Sequence, residues 1–183
     1  MKIAIVNGEP DESSAFEGYV RGFTSRLAER GHDVSELTLR DMNVHGCTGC
    51  FGCWVKTPGE CAQHDDGELL CRAVINSDFV VYAAPIVMGY PSALLKRAVE
   101  RQIPLLSPYI EMEGGEMHHR KRYAHYPEVG LLVSAGADTD AEDIELTRHL
   151  WERLARDMKS HLALFAVADR SSKEVADELV AAA

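Results

Sequence analysis

The sequence has no long apolar run, and its basic residues are outnumbered by its acidic ones. No stretch approaches the roughly 18 apolar residues that a membrane span needs, so we expect no transmembrane segment. The 19 Lys and Arg residues against 29 Asp and Glu residues give a formal net charge of −10. This acidity argues against nucleic acids and anionic membranes as partners, because basic surfaces bind both. The first residues turn polar too quickly for a signal peptide, and we therefore expect a cytoplasmic protein.

The overall composition is that of an ordinary globular protein. Apolar residues make up 46% of the chain and charged residues 26%. A chain of 183 residues is long enough to bury a substantial core. We therefore expect residues 1–183 to form a single domain.

Strand-like and helix-like segments alternate along the chain. Short apolar runs at residues 2–7, 79–84, 129–134 and 162–167, and an alternation of apolar and polar residues at 34–39, predict five strands. Helical spacing predicts helices at 13–30, 68–76, 92–102 and 139–158, and a last one after Ser171. Ser14 with Glu17, and Thr139 with Glu142, have the spacing of capping boxes. We interpret residues 103–127 as a long irregular connection.

This alternation predicts an α/β fold in which helices cover both faces of a parallel sheet. With five strands, we expect a three-layer flavodoxin-like sandwich with strand order 2-1-3-4-5. Ligands of such folds bind beyond the carboxyl ends of the strands, where the strand order reverses. Residues 8–14, 84–91 and 134–139 form the loops at this rim.

The three rim loops contain residue types that suit a site for an anion and a flat ring. Ser13 and Ser14 open a helix, whose free N–H groups favour a phosphate, although Ser14 also suits a simple cap. The apolar loop from Pro85 to Ser92 suits the edge of a flat ring, or an ordinary turn with Met88 in the core. The cysteine loop follows the second strand, and we expect it to share this rim.

Four of the five cysteines are concentrated between residues 47 and 61, with glycines between them. Thiolates are soft ligands, so Cys47, Cys50, Cys53 and Cys61 suit an iron–sulfur cluster. Redox-active thiols, or a zinc site helped by His45 or His64, are the alternatives. Cys71 falls on a predicted helix and suits the core. No Ser/His/Asp motif is present, and we assign no catalytic residue.

One dense basic segment interrupts the acidic sequence at residues 118–122, His-His-Arg-Lys-Arg. It suits an anionic cofactor such as NADPH, or else a solvated loop or subunit contact. The surrounding segment carries Ile, Leu and Tyr residues in greater number than a free loop exposes. We therefore expect burial against a second copy of the chain.

Several sequence blocks together resemble a known family. The blocks are Ile-Val-Asn-Gly-Glu-Pro at 5–10, the cysteine block with Asp65-Asp66, Ser-Asp-Phe-Val-Val at 77–81, Ala-Pro-Ile at 84–86, Ser-Ala-Leu-Leu-Lys at 92–96 and Glu100-Arg101. Over roughly the first 105 residues the chain resembles the NAD(P)H-dependent FMN reductase-like branch of flavodoxin-like proteins. Within that branch it resembles the iron–sulfur flavoproteins.

The resemblance implies an FMN-dependent redox enzyme that takes electrons from a nicotinamide cofactor for an unknown acceptor and forms a homo-oligomer. Gly8, Ser13 and Ser14 would hold the FMN phosphate. The isoalloxazine ring would lie between two segments, Pro85, Ile86, Val87, Met88 and Gly89 on one side and Ser134, Ala135 and Gly136 on the other. Cys47, Cys50, Cys53 and Cys61 would hold a 4Fe-4S cluster.

The sequence departs from the family pattern at three positions. Glu9 replaces the usual Ser of the phosphate loop, Asp11 replaces its Arg, and Val87 stands where an aromatic residue is common. These departures leave two alternatives to the enzyme. One is a non-catalytic binding or electron-carrier subunit with a degenerate flavin site, and the other is a zinc or thiol redox module.

Overall fold

Parallel strands form the centre of the fold. The computed structural model describes residues 1–182. Its strands are β1 Lys2–Asn7, β2 Asp33–Thr38, β3 Phe79–Val87, β4 Tyr90–Pro91, β5 Leu106–Glu113, β6 Glu116–Lys121, β7 Glu128–Ser134 and β8 Leu162–Val167. Five of them pair in parallel in the order β2-β1-β3-β7-β8. Counting only parallel strands, this is 2-1-3-4-5, and the predicted fold is confirmed.

Helices cover both faces of this sheet. They are α1 Ala15–Glu29, α2 Gly52–Val55, α3 Gly67–Ile75, α4 Ala93–Glu100, α5 Ala141–Asp157 and α6 Ser172–Ala182. One apolar cluster joins β1, β3 and β8 to α1 and α6. The other joins the opposite sheet face to α3, α4 and α5. Because both faces are buried, the central strands carry continuous apolar runs instead of alternating ones.

Residues 103–127 are not irregular, and that prediction is wrong. After a 3₁₀ turn at Ile103–Leu105, β5 and β6 form an antiparallel hairpin. Its two-residue turn is Gly114-Gly115, with φ of 58° and 85°. Two consecutive positive φ angles match a tight hairpin turn, and glycine adopts them without steric cost. The Gly-Gly pair was the sequence signal for this hairpin.

The predicted capping boxes are only partly present. The Ser14 side chain accepts the Glu17 N–H at 2.9 Å, but the Glu17 carboxylate turns away to bind Arg40 at 2.9 Å. The box of α5 lies one residue later than predicted. The Asp140 carboxylate accepts the Asp143 N–H at 3.0 Å, and the Asp143 carboxylate accepts the Asp140 N–H at 3.2 Å. A carboxylate caps through a charge-assisted bond, which makes it a strong acceptor at this position.

Within residues 1–182, no helix is both long and apolar enough to cross a membrane.

Two glycines allow a test of the packing between β1 and α4. A methyl group at Gly8 would lie 2.8 Å from the Leu95 Cβ, whereas one at Gly18 in α1 would meet nothing within 4 Å. We expect Gly8→Ala to lower the free energy of unfolding by about 1–3 kcal/mol through overpacking. Gly18→Ala should raise it by about 0.5–1 kcal/mol, because alanine favours the helix. Urea denaturation measures both, and equal stability of the two variants would contradict this packing.

Candidate functional site

The loops after β1 and β3 are tied together at the carboxyl edge of the sheet. The Gly8 N–H donates to the Ala83 carbonyl at 2.7 Å. The buried Ser92 hydroxyl donates to the Gly8 carbonyl at 2.6 Å and also caps α4. The loop after β7, with Ser134 half-buried and Ala135 and Gly136 exposed, begins at the same edge because β7 runs parallel to β3. The three predicted loops therefore share one rim.

Two carboxylates of the first rim loop accept hydrogen bonds from the loop's own N–H groups. Asp11 Oδ1 accepts both the Ser13 N–H at 2.9 Å and the Ser13 hydroxyl at 2.7 Å. The Asp11 N–H in turn donates to the Glu9 carboxylate at 2.8 Å. The Ser13 hydroxyl and N–H lower the pKa of Asp11, which keeps it charged. Carboxylates of the loop itself therefore already accept hydrogen bonds from the donors that a phosphate would need.

The second rim loop ends in an exposed apolar tip. β3 turns back through Met88-Gly89, with φ of 53° and 76°, so that Val87 pairs with Tyr90. Pro85 is half-buried and Ile86 is buried. Val87 is 53% exposed and Met88 90% exposed. Met88 therefore does not lie in the core, and the tip offers an apolar surface at the rim.

The four clustered cysteines line one small cavity of about 20 Å³, here called the thiol pocket. Positive φ angles at Gly49 (66°) and Phe51 (52°) turn the chain between Cys47 and Cys53. Burial raises the pKa of the Cys53 thiol, and the nearby sulfurs of Cys61, Cys47 and Cys50 raise it further. The Gly52 N–H and the Thr48 hydroxyl lower the pKa of Cys50. The four sulfurs are thus close enough to influence one another electrostatically.

A buried ion pair closes the thiol pocket. The Nη1 and Nη2 atoms of Arg101 both donate to the Asp65 carboxylate at 2.7 Å, and both side chains are 1% exposed. Asp65 also accepts the His45 N–H and the Gly67 N–H, each at 2.9 Å. Arg101 holds the pKa of Asp65 well below its usual range, and the two backbone N–H groups lower it further.

Arg101 also faces the sulfurs. It lines the thiol pocket and lies beside the Cys61 sulfur. Its buried Nε has no hydrogen-bond partner among the described residues. In the sequence, Arg101 and Asp65 stand out only as members of the family blocks. A fully buried pair of opposite charges is recognisable only once the fold brings residues 65 and 101 together.

The thiol pocket does not lie among the rim loops. Apart from the cysteine loop, the pocket is lined by Glu100 and Arg101 at the carboxyl end of α4. Ile103 and Pro104, which come just after this helix, complete the lining. Ser92, which contacts the rim, lies at the opposite end of this helix of eight residues, about 12 Å long. The expectation that the cysteine loop shares the rim is therefore wrong. The loop runs down beside α4, where Arg97 donates to the Val44 carbonyl at 3.1 Å.

Within residues 1–182, no three His, Cys, Asp or Glu side chains are arranged to hold a metal ion. His45 bonds to Asp65 at 3.0 Å and does not line the thiol pocket. Cys71 packs against the core, as predicted. Its thiol donates to the Arg101 carbonyl at 3.2 Å, and burial raises its pKa to about 12.

The basic segment at 118–122 forms β6 and its end, and part of it is engaged internally. His118 is buried between Asp157, at 3.0 Å, and Glu116, at 3.1 Å. Arg122 donates to the Leu106 carbonyl at 3.0 Å. Arg120 and Lys121 remain exposed.

Comparison with known proteins identifies the family. The model of the NADPH-dependent FMN reductase family matches residues 1–168. The chain belongs to this family. It is 30% identical to an iron–sulfur flavoprotein of Archaeoglobus fulgidus over 104 residues, which are 57% of this chain and 46% of the relative. It is 29% identical to one of Methanocaldococcus jannaschii over 105 residues, 57% of this chain and 53% of the relative.

The chain thus spans about half the length of these curated relatives. Among solved structures, an FMN-dependent NADH-azoreductase of Bacillus anthracis in complex with FMN superposes with a TM-score of 0.67 at 13% identity. That superposition covers 100% of this chain and 98% of the azoreductase. At this identity the likeness concerns the fold alone. The resemblance expected from the sequence blocks is confirmed.

The Asp65–Arg101 pair can be tested against an exposed pair. Asp65→Asn leaves the buried Arg101 charge uncompensated, so it should lower the free energy of unfolding by about 3–5 kcal/mol. Glu68→Gln breaks the exposed contact to Arg72, 2.7 Å long, and should cost less than about 1 kcal/mol. Urea denaturation at pH 7 measures both values.

The Asp65–Arg101 pair makes the folding stability depend on pH. The pKa of Asp65 is lower in the folded state than in the unfolded chain, where it is about 3.9. Its stabilising effect is therefore complete above this value and is lost as the pH falls through the folded pKa. The stability gap between the wild type and Asp65→Asn should stay constant from pH 7 to about pH 4.5 and narrow as the pH falls from there to about pH 3. A gap that stays constant over this range would contradict the assignment.

Proposed function

We propose that this chain is an FMN-dependent oxidoreductase that takes a hydride from a nicotinamide cofactor and passes the electrons to an acceptor. The observation that carries the proposal is the pairing of a flavodoxin-like rim with a four-thiol pocket one helix away. Membership of the NADPH-dependent FMN reductase family supports it. FMN supplies the hydride chemistry when bound, and the protein positions it.

The residues around the apolar tip suit the isoalloxazine ring. Pro85, Ile86, Val87, Met88 and Gly89 would border one side of the ring. The segment from Ser134 to Gly136, which includes Ala135, would border the other. A ring that covers Val87 and Met88 removes apolar surface from water, which favours binding by about 25 cal/mol per Å². The exposure of both side chains supports this placement.

The phosphate would bind at Gly8, Ser13 and Ser14. α1 is 15 residues long, so its amino end carries the partial positive charge that favours an anion. A bound phosphate would accept hydrogen bonds from the Ser13 hydroxyl and N–H in place of the Asp11 carboxylate. Asp11 is exposed, so its carboxylate has room to turn toward solvent once it releases Ser13, whereas Glu9 is buried. The residues therefore fit FMN once the Asp11 carboxylate is displaced.

We further propose that Cys47, Cys50, Cys53 and Cys61 hold a 4Fe-4S cluster. Four cysteine thiolates are the usual ligands of such clusters, which transfer single electrons. The donor types fit, because all four cysteines line one pocket and no histidine does, and their side chains would have to draw together to hold the metal. Arg101 places a buried cation beside Cys61, where it would offset part of the charge of thiolate ligands. Thiols kept as ligands imply a reducing compartment such as the cytoplasm.

We also propose that the β5–β6 hairpin is covered by a second copy of the chain. The hairpin exposes large apolar side chains: Tyr109 at 70%, Ile110 at 50%, Met112 at 68% and Met117 at 75%. Met112 and Met117 are paired directly across the hairpin, and exposed apolar side chains of this kind are typical of subunit contacts.

The decisive experiment combines an anaerobic absorption spectrum with analysis of flavin, iron, zinc and acid-labile sulfide. NADH and NADPH oxidation with ferricyanide as an artificial acceptor then tests turnover. Bound FMN with turnover supports the oxidoreductase. The carboxylates on the first rim loop favour one rival, an electron-carrier subunit without flavin. Cluster absorbance without FMN binding or NAD(P)H oxidation would establish that rival, and zinc without sulfide would indicate a zinc module.

The first rim loop allows a test that distinguishes binding of the FMN phosphate from binding of the isoalloxazine ring. Asp11→Asn removes a carboxylate from the Ser13 donors, so FMN should bind about tenfold more tightly, which is about 1.4 kcal/mol. Binding of riboflavin, which lacks the phosphate, should not change. Glu12→Gln removes a charge from the same loop without a contact to Ser13 and serves as the control. Titration calorimetry measures the affinities, and an equal gain for riboflavin would exclude this phosphate site.

The cluster assignment predicts different behaviour for two cysteines. Cys61→Ser replaces a thiol of the pocket and should lower the bound iron and sulfide several-fold. Cys71→Ser replaces a thiol outside the pocket and should retain them. Iron and sulfide analysis after anaerobic reconstitution measures both variants. Equal metal content in the two would rule out Cys61 as a ligand.

A further inference from the structure

Arg101 has more hydrogen-bond donors than its contacts to oxygen use. A guanidinium carries five N–H donors. Nη1 donates to the His45 carbonyl at 2.9 Å and to Asp65 Oδ2 at 2.7 Å, and Nη2 donates to Asp65 Oδ1 at 2.7 Å. These three bonds leave the Nε–H and the second N–H of Nη2. The two remaining N–H bonds point in the same direction in the planar guanidinium, and we call this side of Arg101 the open edge.

The open edge is buried and has little freedom to move. Nε has no hydrogen-bond partner among the described residues. The Arg101 side chain is 1% exposed, and a methyl group at Gly67 would lie only 2.6 Å from Nη2. Buried polar groups are almost always hydrogen-bonded. The exception at Nε therefore calls for an acceptor that comes to Arg101, because Arg101 has no room to turn toward water.

The thiol pocket supplies such an acceptor. Of the described arginines, Arg101 alone lines this pocket, and the Cys61 sulfur lies beside its guanidinium. The pocket volume of about 20 Å³ admits about one water molecule, so no larger ligand competes for the open edge. A neutral thiol is a weak acceptor, whereas a thiolate is charged and accepts stronger bonds from a guanidinium.

We propose that the open edge of Arg101 donates N–H···S hydrogen bonds to the Cys61 sulfur when Cys61 is a cluster ligand, and that these bonds raise the reduction potential of the cluster. Arg101 is then a positioning residue that acts through Cys61. This inference rests on the proposed function, because it needs the cluster. One-electron reduction adds negative charge that the ligand sulfurs share, and N–H donors to sulfur stabilise that charge.

The test variant is Arg101→Lys, which retains a positive charge for Asp65 but replaces the planar fork by a single ammonium group. The control is Arg97→Lys, the same substitution one helical turn earlier in α4. Arg97 donates to the Val44 carbonyl at 3.1 Å and does not line the pocket. Both variants are reconstituted anaerobically with iron and sulfide, and circular dichroism verifies folding. Titration with dithionite, followed by electron paramagnetic resonance of the reduced cluster, measures the midpoint potential.

We expect Arg101→Lys to shift the midpoint potential to a more negative value, by about 59 mV for a tenfold change in the one-electron equilibrium. Arg97→Lys should have the potential of the wild type. Equal potentials in the two variants would overturn the proposal, since both retain the charge and differ only in the donors at the open edge.

A second measurement uses the wild type and does not depend on the folding of a variant. Protein labelled with ¹⁵N in the arginine guanidinium groups is reconstituted, reduced with dithionite and studied by pulsed electron paramagnetic resonance. A hydrogen bond from Arg101 to a ligand sulfur should give a ¹⁵N coupling to the electron spin of the cluster, and Arg97→Lys should retain it. A cluster without this coupling would refute the role of Arg101 alone. A wild type that takes up no iron and sulfide would instead refute the proposed cluster, and the role of Arg101 with it.

Discussion

The buried pair of Asp65 and Arg101 is the constraint on which the sulfur site depends. It fixes the end of the cysteine loop through Asp65 and the beginning through the His45 carbonyl, which accepts from Arg101 at 2.9 Å. Charges inside a protein are costly unless they are paired and hydrogen-bonded, so this contact tolerates little displacement. Two residues outside the cysteine motif therefore determine where its four thiols lie relative to α4.

Local sequence signals were enough for the sheet but not for every connection. Each parallel strand except β2, in which apolar and polar residues alternate, is a short apolar run, and right-handed crossovers leave few ways to order five strands. The β5–β6 hairpin was missed because its aromatic and charged residues do not alternate cleanly, although Gly114-Gly115 marked the turn. Glu17 left its capping role because Arg40, distant in sequence, binds its carboxylate inside the fold. Long-range contacts of this kind are not visible in local spacing.

The candidate sites, like the fold, were predictable from local sequence only in part. The spacing of the cysteines was enough to predict that the four share one pocket, and strand order was enough to place three loops on one rim. The relative position of the two sites depends on how the cysteine loop packs along α4, which no motif encodes. The larger cavity between the cysteine loop, α3, the 3₁₀ turn at Ile103–Leu105 and residues 123–125 likewise joins four segments that extend from residue 58 to residue 125 of the chain. Only the folded structure brings its walls together.

The separation of the rim from the thiol pocket by α4 has an evolutionary consequence. The pocket lining and the three rim loops have no residue in common. A descendant could therefore exchange its thiols for other side chains and still keep every rim loop intact. The reverse change, remodelling of the rim for a new substrate, would leave the sulfurs in place. This architecture lets the two ends of a single helix change independently of each other.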